Sequence, residues 1–287
     1  MTTRDRARAA FARLPPGARR RVLHGLGRYA PWEDGFDFSP PTPGPGELTG
    51  PPDFVGIGAQ KAGTTWWFDL LLGHPGITSH PAAHKERHFF DRFGAQPMGP
   101  SDIARYHGWF PRPAGSVTGE WTPDYMAYPW VPPLLRRAAP DTRLLVLLRD
   151  PVERFRSGLA HELRAGYPVD ARSVADAVGR GFYHRALGDW LAHFEADRLL
   201  VLQYEACVHD PEAGLERTFR HLGLDPHRRA VPATAPRPPS DRQGELADEL
   251  RERLVDLYTP DVLALVAGGS GIDLALWPHF AHLAPGA

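Results

Sequence analysis

The stretch FVGIGAQKAGTTWWFDLLLGHPGI, residues 54–77, leaves few folds open to this chain. Its first residues form a short apolar run bounded by glycine, and TTWWFDLLLGH carries apolar residues at helical spacing, so strand, glycine turn and helix follow one another directly. The same alternation recurs downstream. DFVGIG (53–58), GSVTGE (115–120), RLLVLLRD (143–150) and RLLVLQYE (198–205) read as strands, the last two nearly unbroken in Leu and Val. TTWWFDLLLGH, PVERFRSGLAHELRAG, YHRALGDWLAHFEA, DPEAGLERTFRHLG and ELADELRERLVDLY read as helices, the second and fourth opening on Asp and Pro residues that favour helix starts. Strands alternating with helices predict an α/β fold with a mainly parallel sheet covered on both faces.

With 287 residues, 42% of them hydrophobic, the chain can bury one substantial core. A formal net charge of -1 provides no global field to hold nucleic acid or an anionic membrane, so any anion site must be local. Cys207 is the one cysteine, which rules out an intramolecular disulfide and argues against a cysteine-built metal centre. A reducing cytoplasm fits that usage. Eight arginines between Arg4 and Arg28 form a basic arm with no apolar run long enough for a signal peptide or a stable membrane insertion. Prolines then crowd residues 39–52. We therefore expect an extension and linker over 1–52 and a folded domain over 53–287.

The glycine turn resembles a nucleotide-binding loop with one displacement. A Walker A loop needs Gly, four residues, Gly, Lys and then Ser or Thr. Here Gly58 and Gly63 keep the spacing, Thr64 occupies the lysine slot, Thr65 the hydroxyl slot, and the lysine sits at position 61. Helix N-terminal amides and two hydroxyls still make an anion cradle. The expected ligand carries a 5′-phosphate with something other than a γ-phosphate beyond it; the bland alternative is an ordinary strand–turn–helix. Lysine occurs only at Lys61 and Lys85 among 33 basic residues, and both fall in candidate site segments. A compact ammonium at a crowded phosphate is not replaceable by guanidinium.

RLLVLLRDPVERFRSGLAHE supplies a second candidate grip. The strand delivers Arg149 where metal-dependent phosphate enzymes place an acidic residue, and Ser157 follows two turns into the helix. Together they could hold a second phosphate, by charge and by hydroxyl. Pairing of Arg149 with Asp150 or Glu153 is the equal alternative.

QKAGTTWW, HKERHFFD, GEWTPDY and LLVLLRDPVERFRSG, in that order, resemble the successive motifs of sulfotransferases that use 3′-phosphoadenosine-5′-phosphosulfate (PAPS). The likeness is nearest to heparan sulfate and related carbohydrate sulfotransferases and their bacterial relatives, and it spans about residues 53–280. It implies a P-loop-kinase-like three-layer fold with a five-stranded parallel sheet, PAPS as donor, 3′-phosphoadenosine 5′-phosphate (PAP) as product, and no metal. By the same resemblance Lys61, Ala62, Gly63, Thr64 and Thr65 match the 5′-phosphosulfate loop, and Arg149 and Ser157 the 3′-phosphate pair. Glu86 matches the catalytic base, with His88 and Asp91 lining the acceptor cleft.

A carboxylate base and an ammonium at the leaving phosphate suit sulfuryl transfer to an alcohol. Histidine is the rival base, since it titrates near neutral pH; His84, His88 and His161 lie near the motifs, and of these His88 is placed second to Glu86. Lys85, beside Glu86, serves either the cofactor or a neighbouring carboxylate, and with Asp91, Trp121 and Tyr125 it is assigned to the substrate side. Phe89 and Phe90 read as core or cleft wall. Trp121 replaces a lysine of the heparan sulfate enzymes, which argues for a less acidic acceptor. The late cofactor loop is only faintly echoed by Arg242-Gln243-Gly244, in a proline-rich segment read as a flap. The expectation is a cytoplasmic sulfotransferase acting on a hydroxyl of a carbohydrate or small natural product. A P-loop kinase or NTPase, or an idle nucleotide-binding protein, is the alternative.

Overall fold

The computed structural model describes residues 11, 14, 18, 22, 40–79, 85–166, 169–228 and 245–286. The basic arm, His84 and the Arg242-Gln243-Gly244 segment lie outside the described residues.

The sheet is parallel throughout and runs in the order β2-β1-β3-β4, with β1 (Phe54–Gly58), β2 (Gly119–Trp121), β3 (Arg143–Leu148) and β4 (Leu199–Gln203). Its centre follows the sequence closely. Leu144 through Leu148 are fully buried, as a strand covered on both faces must be, and β3 pairs with β1 on one side and β4 on the other. The resemblance implied five strands; four form among the described residues. Where GSVTGE predicted a strand, only Gly119 and Glu120 of it pair with β1, and Val117 makes a single bridge to Ile77. At β4 the ladder stops at Gln203, whose side-chain amide donates to Asp273 O and accepts from Asp273 N, both at 2.9 Å. The C-terminal segment thereby closes that end of the sheet.

Helices flank the sheet. α1 (Thr64–Leu71) follows β1, and α2 (Pro100–His107) and α3 (Val131–Ala138) lie either side of β2 in sequence. α4 (Pro151–Ala165), α5 (Ala171–Gly179) and α6 (Tyr183–Leu191) separate β3 from β4. α7 (Tyr204–His209), α8 (Pro211–His221) and α9 (Asp248–Ala267) complete the chain. α2, α3, α5 and α7 are short and were not legible from periodicity. α5 is fixed by its cap, the Asp170 carboxylate accepting from Arg172 N and Ser173 N at 2.9 Å. α9 continues through Pro260, beyond the Tyr258 end expected from the sequence. Its Tyr258 is fully buried and donates to Val178 O, and this tertiary anchoring outweighs the amide hydrogen bond that proline cannot make.

Residues 40–52 contain no helix, yet they are tied to the domain. Leu48 and Arg112 exchange two backbone bonds of 2.9 Å, and the Arg112 guanidinium reaches Pro51 O and Asp53.

Asp150 joins the start of α4 to the C-terminus. Its Oδ1 caps α4 by accepting from Val152 N and Glu153 N, and its Oδ2 accepts from the backbone N and the Nδ1 of His279 at 3.1 and 3.0 Å. The hydrogen bond to Asp150 raises the His279 pKa above its ordinary value. A raised histidine contributes stability that is complete below its unfolded pKa of about 6.5 and is lost as pH climbs through the folded value. The difference in melting temperature between the native chain and His279→Ala should therefore be largest near about pH 6 and shrink toward about pH 9.

A second expectation concerns β1. A Cβ on Gly56 would lie 2.0 Å from the fully buried Trp121 ring. Gly56→Ala should lower stability by about 3 kcal/mol, read from the denaturant midpoint, because neither strand backbone nor indole can give way.

Candidate active site

The loop after β1 and the arginine after β3 meet at one crevice. With order β2-β1-β3-β4, connections leave β1 and β3 toward opposite sides, and the gap at their carboxyl ends is where open parallel sheets bind ligands. Arg149 Nη1 makes a long hydrogen bond of 3.5 Å to Lys61 O, and Nη2 reaches Glu153 Oε2 at 3.4 Å. Of the two readings left open for Arg149, the pairing with Glu153 is present, and the same guanidinium also faces the loop. Its guanidinium also lies 5.1 Å from the Tyr204 ring centre.

Tyr204 shapes the loop from the other side. Gly63 adopts φ 86°, and a Cβ there would stand 2.6 Å from the Tyr204 ring, so glycine is required both for its conformation and for space. Lys61 is also left-handed, at φ 66°, a strained geometry for a side-chain-bearing residue. No side chain caps α1 at Gly63, which leaves the first amides of the helix free of a local side-chain acceptor. A cradle of this shape, with Thr64 and Thr65 at its rim, fits a phosphate or sulfate group.

Lys85 connects the cradle to the candidate base. Its Nζ donates to Thr64 Oγ1 at 3.0 Å, Thr65 Oγ1 at 3.1 Å and Glu86 Oε1 at 2.9 Å. On the other carboxylate oxygen, His88 Nε2 donates to Glu86 Oε2 at 3.2 Å, and His88 Nδ1 donates to Asp91 Oδ2 at 2.8 Å. Asp124 Oδ2 stands 3.8 Å from the same Nδ1. The result is a continuous relay from loop hydroxyls through Lys85, Glu86 and His88 to Asp91.

The electrostatics follow from that order. Burial alone would raise Glu86, but the His88 hydrogen bond and the Lys85 charge outweigh it and hold the carboxyl down at about 2. Burial would lower His88, yet its bonds to Asp91 and Glu86 push it up to about 10, so it is an imidazolium at neutral pH. Asp91 is raised by burial and further by Asp124, against the pull of His88. Burial lowers both Lys61 and Lys85, and the Glu86 and Asp124 carboxylates oppose that for each. The chain's two lysines thus act on one group of carboxylates.

The segment bearing Glu86 and His88 is held by a buried carboxylate. Glu120 is fully buried at β2; its Oε1 accepts from Tyr106 OH at 2.6 Å, and its Oε2 from Thr122 Oγ1 at 2.6 Å and Arg87 N at 3.2 Å. Thr122 Oγ1 in turn accepts from Arg87 N at 2.9 Å and His88 N at 3.4 Å, while Trp121 N donates to Lys85 O at 2.9 Å. Residues 85–88 therefore run alongside the end of β2. This scaffold holds His88 at its left-handed φ of 50°.

Two expected substrate residues are corrected. Trp121 is fully buried, packs over Gly56 and donates from Nε1 to Gly58 O at 3.1 Å. Tyr125 is equally buried; its hydroxyl accepts from Phe89 N at 2.9 Å and donates to Glu120 at 3.3 Å. Neither can touch an acceptor, and both support the loop and the base segment instead. Phe89 and Phe90 belong to the core. Ser157 is half-buried on α4, outside the relay just described. Ala62 is buried beneath the loop.

Asp124, Arg180 and Gln60 were not singled out from the sequence. Gln60 Nε2 donates to Asp124 Oδ1 at 3.4 Å, and Arg180 is ion-paired to the same oxygen. Asp124 lay within the GEWTPDY motif, whereas Arg180, just past the end of the unread α5, carried no signal.

Residues 120–228 match the model of the "Sulfotransferase family". Among curated proteins, the chain is 32% identical over 201 residues to heparan sulfate glucosamine 3-O-sulfotransferase 6 of Mus musculus, covering 64% of this chain and 56% of that protein. It is 31% identical over 188 residues to heparan sulfate glucosamine 3-O-sulfotransferase 3B1 of Mus musculus, covering 60% of this chain and 46% of that protein. The chain thus spans about half the length of the curated relatives it matches. A crystal structure of a sulfotransferase from Alicyclobacillus acidocaldarius shares the fold with a TM-score of 0.62 at 24% identity, covering 79% of this chain and 98% of that one. The chain is thus similar to sulfotransferases over residues 120–228 and over the stretch shared with its curated relatives, and it shares the fold of a bacterial sulfotransferase.

Proposed function

We propose that this chain transfers a sulfuryl group from PAPS to a hydroxyl of a carbohydrate or small natural product, with Glu86 as the general base. The single observation that carries this reading is the Lys85 ammonium, bonded at once to both loop hydroxyls and to Glu86. It fixes the base at the rim of the anion cradle. The donor supplies the activated sulfuryl group; every other task falls to the chain.

Thr64, Thr65 and the α1 amides hold the 5′ side, and Lys61 neutralises charge on the leaving phosphate oxygen. Arg149, at the same crevice, takes the 3′-phosphate with Ser157. Glu86 accepts the acceptor's proton as the new bond forms, and His88 and Lys85 orient its two oxygens. His88 is the weaker candidate for base, because an imidazolium paired with Asp91 has no free lone pair. Its charge instead keeps Glu86 ionised.

A carboxyl near 2 is a feeble base, and ligand binding corrects this. Negative charge placed against Lys85 and Lys61 offsets part of the positive field that holds Glu86 down, so its pKa rises when the cradle is filled. The acid limb in kcat should accordingly lie at higher pH than any in kcat/KM for the donor, which should show no Glu86 limb down to about pH 4. Steady-state rates across pH decide this.

Glu86→Gln should lower kcat by about 10²–10⁴-fold while leaving PAP affinity within a few-fold, measured by transfer assay and calorimetry. Unchanged turnover would remove Glu86 from the role. PAP should bind more tightly than AMP by about tenfold or more, and Arg149→Ala should erase that preference, since charge-assisted phosphate bonds are worth about 1.5–3 kcal/mol. Tighter binding of ATP with Mg²⁺ than of PAP would favour a kinase or NTPase.

A further inference from the structure

The wall beyond His88 is acidic and already paired. Arg180 is the one guanidinium seen to reach it among the described residues, and two carboxylates hold it: Asp124 at Nη1, and Asp176 at Nε with 2.7 Å. Burial would lower the Arg180 pKa, but Asp124 and Asp176 raise it, so the charge is held firmly and is spent within the protein. Around it, Asp91, Asp124 and Asp176 outnumber the ion-paired cations His88 and Arg180, while Lys61 and Lys85 face Asp124 from the cradle side. A cavity of about 30 Å³ lined by Ala59, Gln60, Met126 and Arg180 lies behind this pairing, and Gln60 ties it to the loop.

Tyr128 completes the wall. Its hydroxyl lies within the influence of Arg180, Asp124 and Asp91, and its ring stacks on Trp130 with centroids 4.7 Å apart and planes 10° from parallel. Trp130 is fixed in turn by a 3.2 Å bond from Nε1 to Phe90 O and by packing on Gly94. A rigid, half-buried aromatic edge beside a carboxylate-rich rim suits an uncharged or cationic ring. Like charges brought together at such a surface select against anions.

We propose that the acceptor is an uncharged or cationic hydroxyl compound rather than a polyanionic glycan, and that the Asp124–Arg180–Asp176 pairing and the Tyr128–Trp130 stack set this preference. The proposal rests on the sulfotransferase reading above. It departs from the anionic polymer named in the curated relatives.

The test uses the full chain and one backbone in three charge states: N-acetylglucosamine oligomers, their deacetylated cationic form, and their N-sulfated anionic form. Transfer of ³⁵S from labelled donor is followed for each, with PAP binding measured separately by calorimetry. The expected result is kcat/KM for the neutral or cationic oligomer at least tenfold above that for the anionic one. Equal or greater use of the anionic oligomer, or turnover of none with PAP binding intact, overturns the inference. Failure to bind PAP would instead sink the sulfotransferase reading. Asp176→Asn, which frees one side of Arg180, should lower KM for the anionic oligomer several-fold relative to the neutral one. An unchanged ratio removes Arg180 from the assignment.

Discussion

The site depends on one ammonium group. Lys85 bridges Thr64 and Thr65, which belong to the loop after β1, and Glu86, which belongs to a separate segment beside β2. Without this bridge, the loop after β1 and the Glu86 carboxylate beside β2 would be two unrelated features. A lysine suits the joint because its three donors can point in three directions from a compact head, whereas a planar guanidinium favours paired, coplanar acceptors.

The bridge works only because its two ends are rigid. On the loop side, Gly63 is pressed against Tyr204, and Arg149 reaches Lys61 O. On the base side, Glu120 is buried with Tyr106, Thr122 and the Arg87 amide as donors, and burial raises its pKa even though those bonds lower it. A buried carboxylate is costly unless its oxygens are satisfied. Satisfied as it is here, it specifies the path of residues 85–88 more sharply than apolar contact could, and so orients the side chains of Glu86 and His88. The relay's charges then alternate in sign along its length, which explains why Glu86 is depressed and His88 raised within one hydrogen-bonded pair.

Much of this was legible in the order of residues. The central strands announced themselves as unbroken Leu and Val, and the glycine spacing with displaced Lys61 marked the loop. HKERHFFD brought Glu86, His88 and Asp91 together because they are neighbours in the chain. Trp121 and Tyr125 were misread because proximity to a motif says nothing about which way a side chain faces, whether at the end of β2 or in the 3-10 turn Pro123–Ala127 after it; both turn inward and fill the core. α2, α3, α5 and α7 are each nine residues or fewer; α1 and α6 are equally short but stood out because their apolar spacing continues into the residues that follow them.

By itself the sequence determined a parallel α/β core, a glycine-bounded loop between strand and helix, and a set of acidic and basic residues close enough along the chain to be recognised as one motif. Only the tertiary structure decided that Lys85 faces the loop hydroxyls, that Asp124 stands beside His88, and that Arg180 is consumed by carboxylates from two different elements. The physical reason is range. Backbone propensity and side-chain periodicity act over a few residues, whereas a hydrogen bond across 35 positions, Arg87 N to Thr122 Oγ1, or an ion pair across 56, Arg180 to Asp124, exists only after the strands have fixed their register.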